Sequence, residues 1–211
     1  MQEEQAVLDF FAKQENLSLA LSVAEQTDLI RERINSDFWS DLAHHISGMI
    51  ARHQLGWRIA TTEDRNAVDN LVGFHCVPDS DQQVYIRPMM EQQNLGKGMQ
   101  IYFGLMWSGQ PTADHLALPA VATLRDTLTR AGYQCNESFL AWQWTKLYPR
   151  SKAFLLQYSQ HSGKLLEEIE ATLENLLLVH HALISRANIA LSQAPRAMTI
   201  SLDQLRVKRK S

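Results

Sequence analysis

The sequence predicts an α+β fold: an antiparallel meander sheet of four or five strands packed against helices, with long N- and C-terminal helices that can pair. Short apolar segments follow one another closely in the middle of the chain, which favours hairpins over the helical crossovers of a parallel sheet. Apolar side chains recur at helical spacing on either side of this region. No Gly or Pro lies between Gly163 and Pro195. The last helix, of roughly 30 residues, is therefore expected to be about 45 Å long.

The apolar stretch 99–107 is the strand around which we expect the sheet to be built. Turn-forming residues precede it (GKG) and follow it (SGQP). Strand periodicity places Ile101, Phe103, Leu105 and Trp107 on one face and Tyr102, Gly104 and Met106 on the other. Because few of these residues are polar, both faces are expected to be at least half covered, as in a central strand.

Further strands and helices follow from turn signals and periodicity. Strands are expected at 57–59, 71–77, 83–87 and 138–144, with 91–98 as the connection into the central strand. Helices are expected over 3–34 as one or two helices, over 38–53 with Ser36 or Asp37 as the N-cap, over 118–131 with Gly132 after its last turn, over 150–160 and over 161–191. The chain is thus divided into an N-terminal helical segment (1–35), an α+β core (36–160), a long C-terminal helix (161–196) and a basic tail (197–211).

The composition is that of an ordinary globular protein, with 211 residues, 45% hydrophobic residues and a net charge of −3. This charge gives no general attraction to nucleic acid or to anionic membranes, so nucleic-acid binding would need a local basic patch. The N-terminus lacks the basic and apolar regions of a signal peptide. No apolar run approaches the roughly 20 residues that span a bilayer. We therefore expect a cytoplasmic protein of bacterial type that does not enter the membrane.

No motif in the sequence points to catalysis, a metal or a cofactor. Adjacent histidines on a helix point about 100° apart and cannot share a metal as residues four apart do. We interpret the paired and isolated histidines as surface or boundary residues: His44, His45, His180, His181, His75 and His115. Cys76 and Cys135 follow no metal or redox spacing and are expected to be reduced, structural thiols. Whether the chain is an enzyme is left open, and the absence of a catalytic motif weighs against it.

An aromatic group beside basic residues is the one candidate binding site. It comprises Trp107, Trp142 and Trp144 together with Lys146, Tyr148 and Arg150. In an extended segment Trp142 and Trp144 point to the same face. Exposed aromatic rings beside cations can stack on bases or anchor a protein partner. The alternative is a buried aromatic layer in the core. The tail residues Arg206, Lys208, Arg209 and Lys210 could add phosphate contacts, or could simply be solvated.

Several short motifs bear a family resemblance. They are LDFFA at 8–12 followed by Asn16-Leu17, NSDFW at 35–39, IYFGL at 101–105, WQWTK at 142–146 and the long last helix. This order resembles the C-terminal portion of bacterial proteins of the PD-(D/E)XK nuclease superfamily, over about residues 8–190. In that family the nuclease core lies upstream of these motifs, so no metal-binding carboxylate can be carried over to this chain. The resemblance implies an accessory, non-catalytic half.

Three functional hypotheses follow from these observations. The first is a non-catalytic accessory module that binds a protein partner through its long helices or its aromatic face. The second is a nucleic-acid-binding protein or degenerate nuclease that uses Trp142, Trp144, Lys146, Arg150 and the basic tail. The third is a self-associating structural protein whose terminal helices pair in a coiled coil.

Overall fold

The computed structural model describes residues 2–63, 72–79, 84–95 and 98–194, and over these residues it confirms the α+β fold. Its elements are α1 (Gln2–Phe11), α2 (Gln14–Arg52), β1 (Trp57–Thr61), β2 (Val72–Pro78), β3 (Ile86–Leu95), β4 (Gly98–Trp107), α3 (Ala113–Ala117), α4 (Pro119–Arg130), β5 (Phe139–Trp144) and α5 (Lys152–Gln193). The five strands form one sheet in their chain order, and every neighbouring pair is antiparallel. This topology is the expected meander.

The predicted central strand is β4, an interior strand that pairs with β3 along its whole length and with β5 on its other side. Side chains on both of its faces are buried, from Ile101 to Trp107. Gly104 is required at this point because a Cβ there would lie 2.1 Å from the carbonyl oxygen of Ala141 on β5. The glycine therefore allows β4 and β5 to approach closely.

Helices cover the sheet face that carries Ile101, Phe103, Leu105 and Trp107, called here the helix-covered face. Trp39 of α2 contacts Phe74 of β2, with ring centroids 6.3 Å apart. Its indole Nε1 donates to Gln92 Oε1 of β3 at 2.8 Å. The side chain of Asn188 on α5 bonds to both the N–H and the C=O of Ile86, at 2.8 and 2.9 Å. These buried polar contacts fix both long helices on the sheet.

The long helices α2 and α5 pair with each other in parallel. Tyr158 Oη donates to Asp41 Oδ2 at 2.6 Å, and His53 Nε2 lies 2.6 Å from Glu174 Oε1. Residue numbers rise together along the two helices, which shows their parallel direction. Burial, and next the hydrogen bond to Asp41, raise the pKa of Tyr158. The phenol therefore stays protonated and remains a donor to Asp41.

The predicted helix boundary at 35–37 is wrong, because α2 continues through it without a break. Asn35 is buried, so it belongs to the packed stripe. Asp37 accepts from Arg33 Nε at 2.9 Å in an i,i+4 pair, and thus stabilises a helix that already includes it. Polar residues at 35–37 suit an N-cap, but here the burial of Asn35 and the charge of Arg33 beside Asp37 stabilise them inside the helix.

The predicted connection at 91–98 is also wrong, because β3 runs on to Leu95. The polar sequence there suggested a loop. Glu91, however, is opposite Tyr102 of β4 and accepts its phenolic hydroxyl at 2.5 Å. Gln92 accepts from Trp39, as described above. Polar side chains in this strand are therefore satisfied by partners far along the chain, which no local pattern predicts.

Most of the remaining predicted elements are confirmed, but the strand expected at 83–87 begins only at Ile86, and the short helix α3 was not expected. The strand expected at 57–59 is β1, and the one at 138–144 is β5. After α4, Gly132 has φ +89°, and the N–H of Tyr133 bonds back to the C=O of Leu128 at 3.0 Å. This is the glycine-terminated helix end that the sequence predicts. The boundary expected at residue 161 is a non-helical residue, His161 (φ −143°, ψ 42°), inside α5.

Some predictions lie outside the described residues. They concern residue 71 and residue 83 of two predicted strands, the glycine-lysine turn at 96–97 and the basic tail at 197–211.

Replacing Gly104 tests the close approach of β4 and β5. We expect Gly104→Ala to lower the free energy of unfolding by about 2 kcal/mol or more, because the new methyl group would overlap the backbone of β5. The matched control is Gly163→Ala on α5, where a Cβ meets nothing within 4 Å. There we expect a gain of about 1 kcal/mol from helix propensity. Urea unfolding monitored by circular dichroism measures both, and equal stability of the two variants would contradict the account.

Candidate functional site

Two of the predicted site residues form an aromatic cluster on the sheet face opposite the helices. Trp144 is opposite Tyr102 in the β4–β5 register, and Trp142 is opposite Gly104. The rings of Trp142 and Trp144 meet edge to face at 5.3 Å, and Tyr102 meets them at 6.0 and 5.4 Å. Phe139 completes the cluster. Trp142 and Trp144 are partly buried, so their main contacts are with one another and with the sheet.

Trp107 does not join this cluster, which corrects the expectation of one aromatic layer. It is opposite Ile86 in the register and belongs to the helix-covered face. Its exposed fraction is 1%. Side chains alternate across a strand, so odd-numbered Trp107 and even-numbered Tyr102 point in opposite directions from β4. Trp107 is therefore a core residue and is inaccessible to a partner.

The basic members of the predicted group are separated from one another. Lys146 is exposed in the turn after β5, and Arg150 is partly buried next to the N-cap of α5, Ser151. Lys146 lies beside a cavity that Trp144 also lines, whereas Arg150 does not line it. The structure therefore brings Trp144 and Lys146 to one place but does not assemble the whole group.

This cavity lies between the end of β5 and the first part of α5 and has a volume of about 370 Å³. Its apolar wall consists of Met90, Phe103, Leu147, Leu165 and Ile169, and its polar wall of Gln143, Thr145, Lys146, Glu168 and Thr172. The polar groups are largely engaged with the protein itself. Thr145 Oγ1 donates to the C=O of Ile101 at 2.7 Å, and Lys164 lies 4.0 Å from Glu168. The cavity contains no arrangement of groups that indicates a reaction.

A charged cluster joins α2 to α5, and the sequence did not reveal it. Glu170 is 8% exposed and contacts both Arg52 and His45 of α2. His45 and Arg52 are seven residues apart, so they lie on the same side of α2 and flank the carboxylate. A buried carboxylate needs such partners. The seven-residue spacing of His45 and Arg52 is visible in the sequence. Only the parallel pairing of α2 with α5 shows that both residues contact Glu170.

The expectation of surface histidines is wrong for His115, which is 3% exposed. Its Nδ1 accepts the N–H of Thr112, and Thr112 Oγ1 accepts the N–H of His115, which forms a reciprocal cap at the start of α3. Burial lowers the pKa of His180, so this imidazole is held more firmly neutral than a solvated one. Both histidines have structural surroundings.

The two cysteines are free thiols, Cys76 buried and Cys135 exposed. Burial raises the pKa of Cys76, and the nearby positive charge of Arg87 only partly offsets this effect. A thiol of this kind is a poor nucleophile because the thiolate is the reactive form.

Two searches of the described residues give negative results. No group of three or more His, Cys, Asp or Glu side chains in this part of the chain is placed to hold a metal ion. Among the same residues, no helix combines the length and the apolar character needed to cross a membrane.

The most unusual surface is the N-terminal arm, defined as residues 4–34 of α1 and the first part of α2. Every residue in it is exposed or only partly buried. Nine large apolar side chains are between 47% and 63% exposed: Val7, Leu8, Phe10, Leu17, Leu19, Leu21, Val23, Leu29 and Ile30. The buried residues of α2 begin only at Asn35. Among the described residues, the large apolar side chains of the arm are thus left about half exposed, apart from Ile34 at its end, which packs against the core.

The chain matches no protein-family model, no curated protein and no solved structure. The resemblance to the C-terminal portion of PD-(D/E)XK nuclease superfamily proteins therefore stays a prediction.

A substitution in the aromatic cluster distinguishes packing from binding. We expect Trp142→Ala to lower the free energy of unfolding by about 2 kcal/mol, because it removes edge-to-face contacts with Tyr102 and Trp144. Tyr148→Ala is the control, since Tyr148 is 45% exposed. It should change stability by no more than about 0.5 kcal/mol. If chemical denaturation shows that Trp142→Ala is as stable as the parent protein, the cluster is not part of the packed structure.

Proposed function

We propose that this protein is a non-catalytic binding module that recognises a protein partner through its N-terminal arm. The observation that supports the proposal is the set of nine half-exposed apolar side chains on the arm, of which Leu19, Val23 and Ile30 share one side of α2. Soluble monomers rarely expose large apolar patches, and such patches mark interaction sites.

The summed exposed area, which lies around the arm and not on one side of it, is of the size that stable interfaces need. Nine side chains at roughly half exposure, on the order of 100 Å² each, present on the order of 900 Å² of apolar surface. One partner contributes about 800 Å² to a standard protein–protein interface. A partner helix or strand laid along the arm could therefore be held by apolar burial alone, even if it covers only part of this area.

The arm also requires a partner for its own stability. A helix in water without tertiary contacts is marginal, since most helical stability in proteins comes from packing of an apolar face. From Phe38 onward α2 has such packing on the sheet and on α5. Among the described residues, the nine large apolar side chains of the arm remain about half exposed, so a partner would supply the burial that the rest of α2 already has.

The nucleic-acid alternative receives less support. The arm carries six acidic and three basic residues, a net charge of −3, which repels phosphates. The rings of Trp142 and Trp144 are engaged edge to face with each other and with Tyr102, and Lys146 and Arg150 do not share one site. An accessory role beside a nuclease-like protein remains compatible with the proposal, because the partner is not specified by the arm alone.

Site-specific photo-crosslinking tests this function. A photoreactive phenylalanine analogue replaces Leu19 in the full chain, in the cells that normally express it. We expect one or a few discrete crosslinked species, which mass spectrometry identifies as another protein or as a second copy. Val23→Glu and Ile30→Glu, on the same side of the helix as Leu19, should abolish them by placing charge in the apolar contact.

The control places the same probe at Glu25, which is exposed on the opposite side of the helix. If the probes at Leu19 and Glu25 give the same weak, diffuse pattern, or if Val23→Glu leaves the crosslinks unchanged, the arm is not a binding surface.

A further inference from the structure

We propose that the N-terminal arm of one copy binds the basic segment 200–210 of a second copy, so that two chains exchange these segments in a symmetric dimer. The proposal rests on the proposed function of the arm and names its partner. It follows from the charge and apolar character of the two segments and from the parallel pairing of α2 with α5.

The two segments have complementary charge. The arm has a net charge of −3, from six acidic and three basic residues. The segment 200–210 (ISLDQLRVKRK) has four basic residues and one acidic residue, a net charge of +3. Opposite charge on two surfaces speeds their encounter and disfavours pairing of like with like. Two arms of charge −3 would repel each other, which makes direct arm–arm pairing the weaker alternative.

The two segments also match in apolar content. The basic segment carries four apolar residues of good size: Ile200, Leu202, Leu205 and Val207. These can contact the exposed leucine and valine side chains of the arm while the cations remain at the rim. This division into an apolar centre and a charged rim is typical of protein interfaces.

The helix geometry places the arm of the same chain out of reach of most of the segment. Because α2 and α5 run in parallel, the contacts of Asp41 with Tyr158 and of His53 with Glu174 place Ile34 near the start of α5. The basic segment follows the other end, Gln193. From His161 alone to that end α5 rises about 48 Å. Fully extended, the residues from 194 to 205 span at most about 40 Å, so Ile200, Leu202 and Leu205 cannot reach the arm of their own chain, and only the last residues of the segment extend farther.

A second copy removes this restriction. If two chains lie antiparallel, the end of α5 in one copy comes beside the arm of the other, and the reverse contact forms by symmetry. Such a two-fold arrangement makes two identical contacts and closes, so it yields dimers and not filaments.

Charge reversal tests the exchange directly. The arm variant carries Glu4→Lys, Asp9→Lys and Glu15→Lys, and the segment variant carries Arg206→Glu, Lys208→Glu and Arg209→Glu. Sedimentation velocity of the full chain over a range of concentrations measures the dimer. We expect each variant to weaken dimerisation at least about tenfold, since it opposes like charges. Higher salt should weaken the parent dimer in the same direction.

Mixing the two variants is the decisive step. A basic arm then meets an acidic segment and an acidic arm meets a basic segment, so an equimolar mixture should form a heterodimer although neither variant dimerises well alone. The control variant changes the same charge elsewhere, with Asp114→Lys, Asp126→Lys and Glu167→Lys at exposed positions, and should dimerise like the parent. Circular dichroism checks that all variants keep their helical content.

The outcomes separate this inference from the proposed function. A parent chain that stays monomeric, or a mixture that does not restore dimers, overturns the inference. If the Leu19 probe nevertheless captures another protein, the function stands and only the partner is wrong. If a dimer is lost on Val23→Glu but unaffected by reversal of segment 200–210, the arms pair with each other and the inference is likewise overturned. If neither crosslinks nor dimers form, both proposals are wrong.

Discussion

The structure depends on the burial of one sheet face beneath two long parallel helices. Trp39 on α2 and Asn188 on α5 each form a buried hydrogen bond to β3, at Gln92 and Ile86. Because both helices are anchored to the same strand, their relative position is fixed, and Glu170 then lies between Arg52 and His45. Breaking either anchor would leave buried polar groups unpaired, which costs more than the bond itself contributes. The packed part of α2 begins at Asn35, and the arm before it is the part left exposed.

Hydrophobic periodicity predicted most of the architecture. The apolar stretch of β4 showed an interior strand, and Gly132 showed the end of α4. The misplaced boundaries share a physical cause, since Asp37 and Glu91 are polar residues that usually end an element. Here each has a partner, Arg33 in the same helix turn and Tyr102 across the sheet, so the helix and the strand continue through them. A partner distant in sequence leaves no local signal, and for that reason the length of β3 and the helix–helix cluster could not be predicted.

The candidate site, too, could be predicted only in part from the sequence. Trp142 and Trp144 were correctly expected on one face, since an extended segment allows only that arrangement. Strand alternation already places Trp107 on the opposite face of the sheet. The interpretation of the sequence nevertheless grouped it with Trp142 and Trp144 because all three are tryptophans. The apolar residues of the arm appeared in the sequence as an ordinary amphipathic stripe. Their exposure became evident only when the buried residues of α2 proved to begin at Asn35.

The two halves of this helix are therefore expected to differ in stability, since the half from Phe38 onward has tertiary packing and the large apolar side chains of the arm remain about half exposed. Local stability of this kind is measured by amide hydrogen exchange. At the lowest workable protein concentration, we predict rapid exchange over 14–33 and strong protection over 38–52, with protection of 14–33 rising as concentration increases. If the amides of 14–33 are as well protected as those of 38–52 in the dilute monomer, the arm does not need a partner, and the account of its role is contradicted.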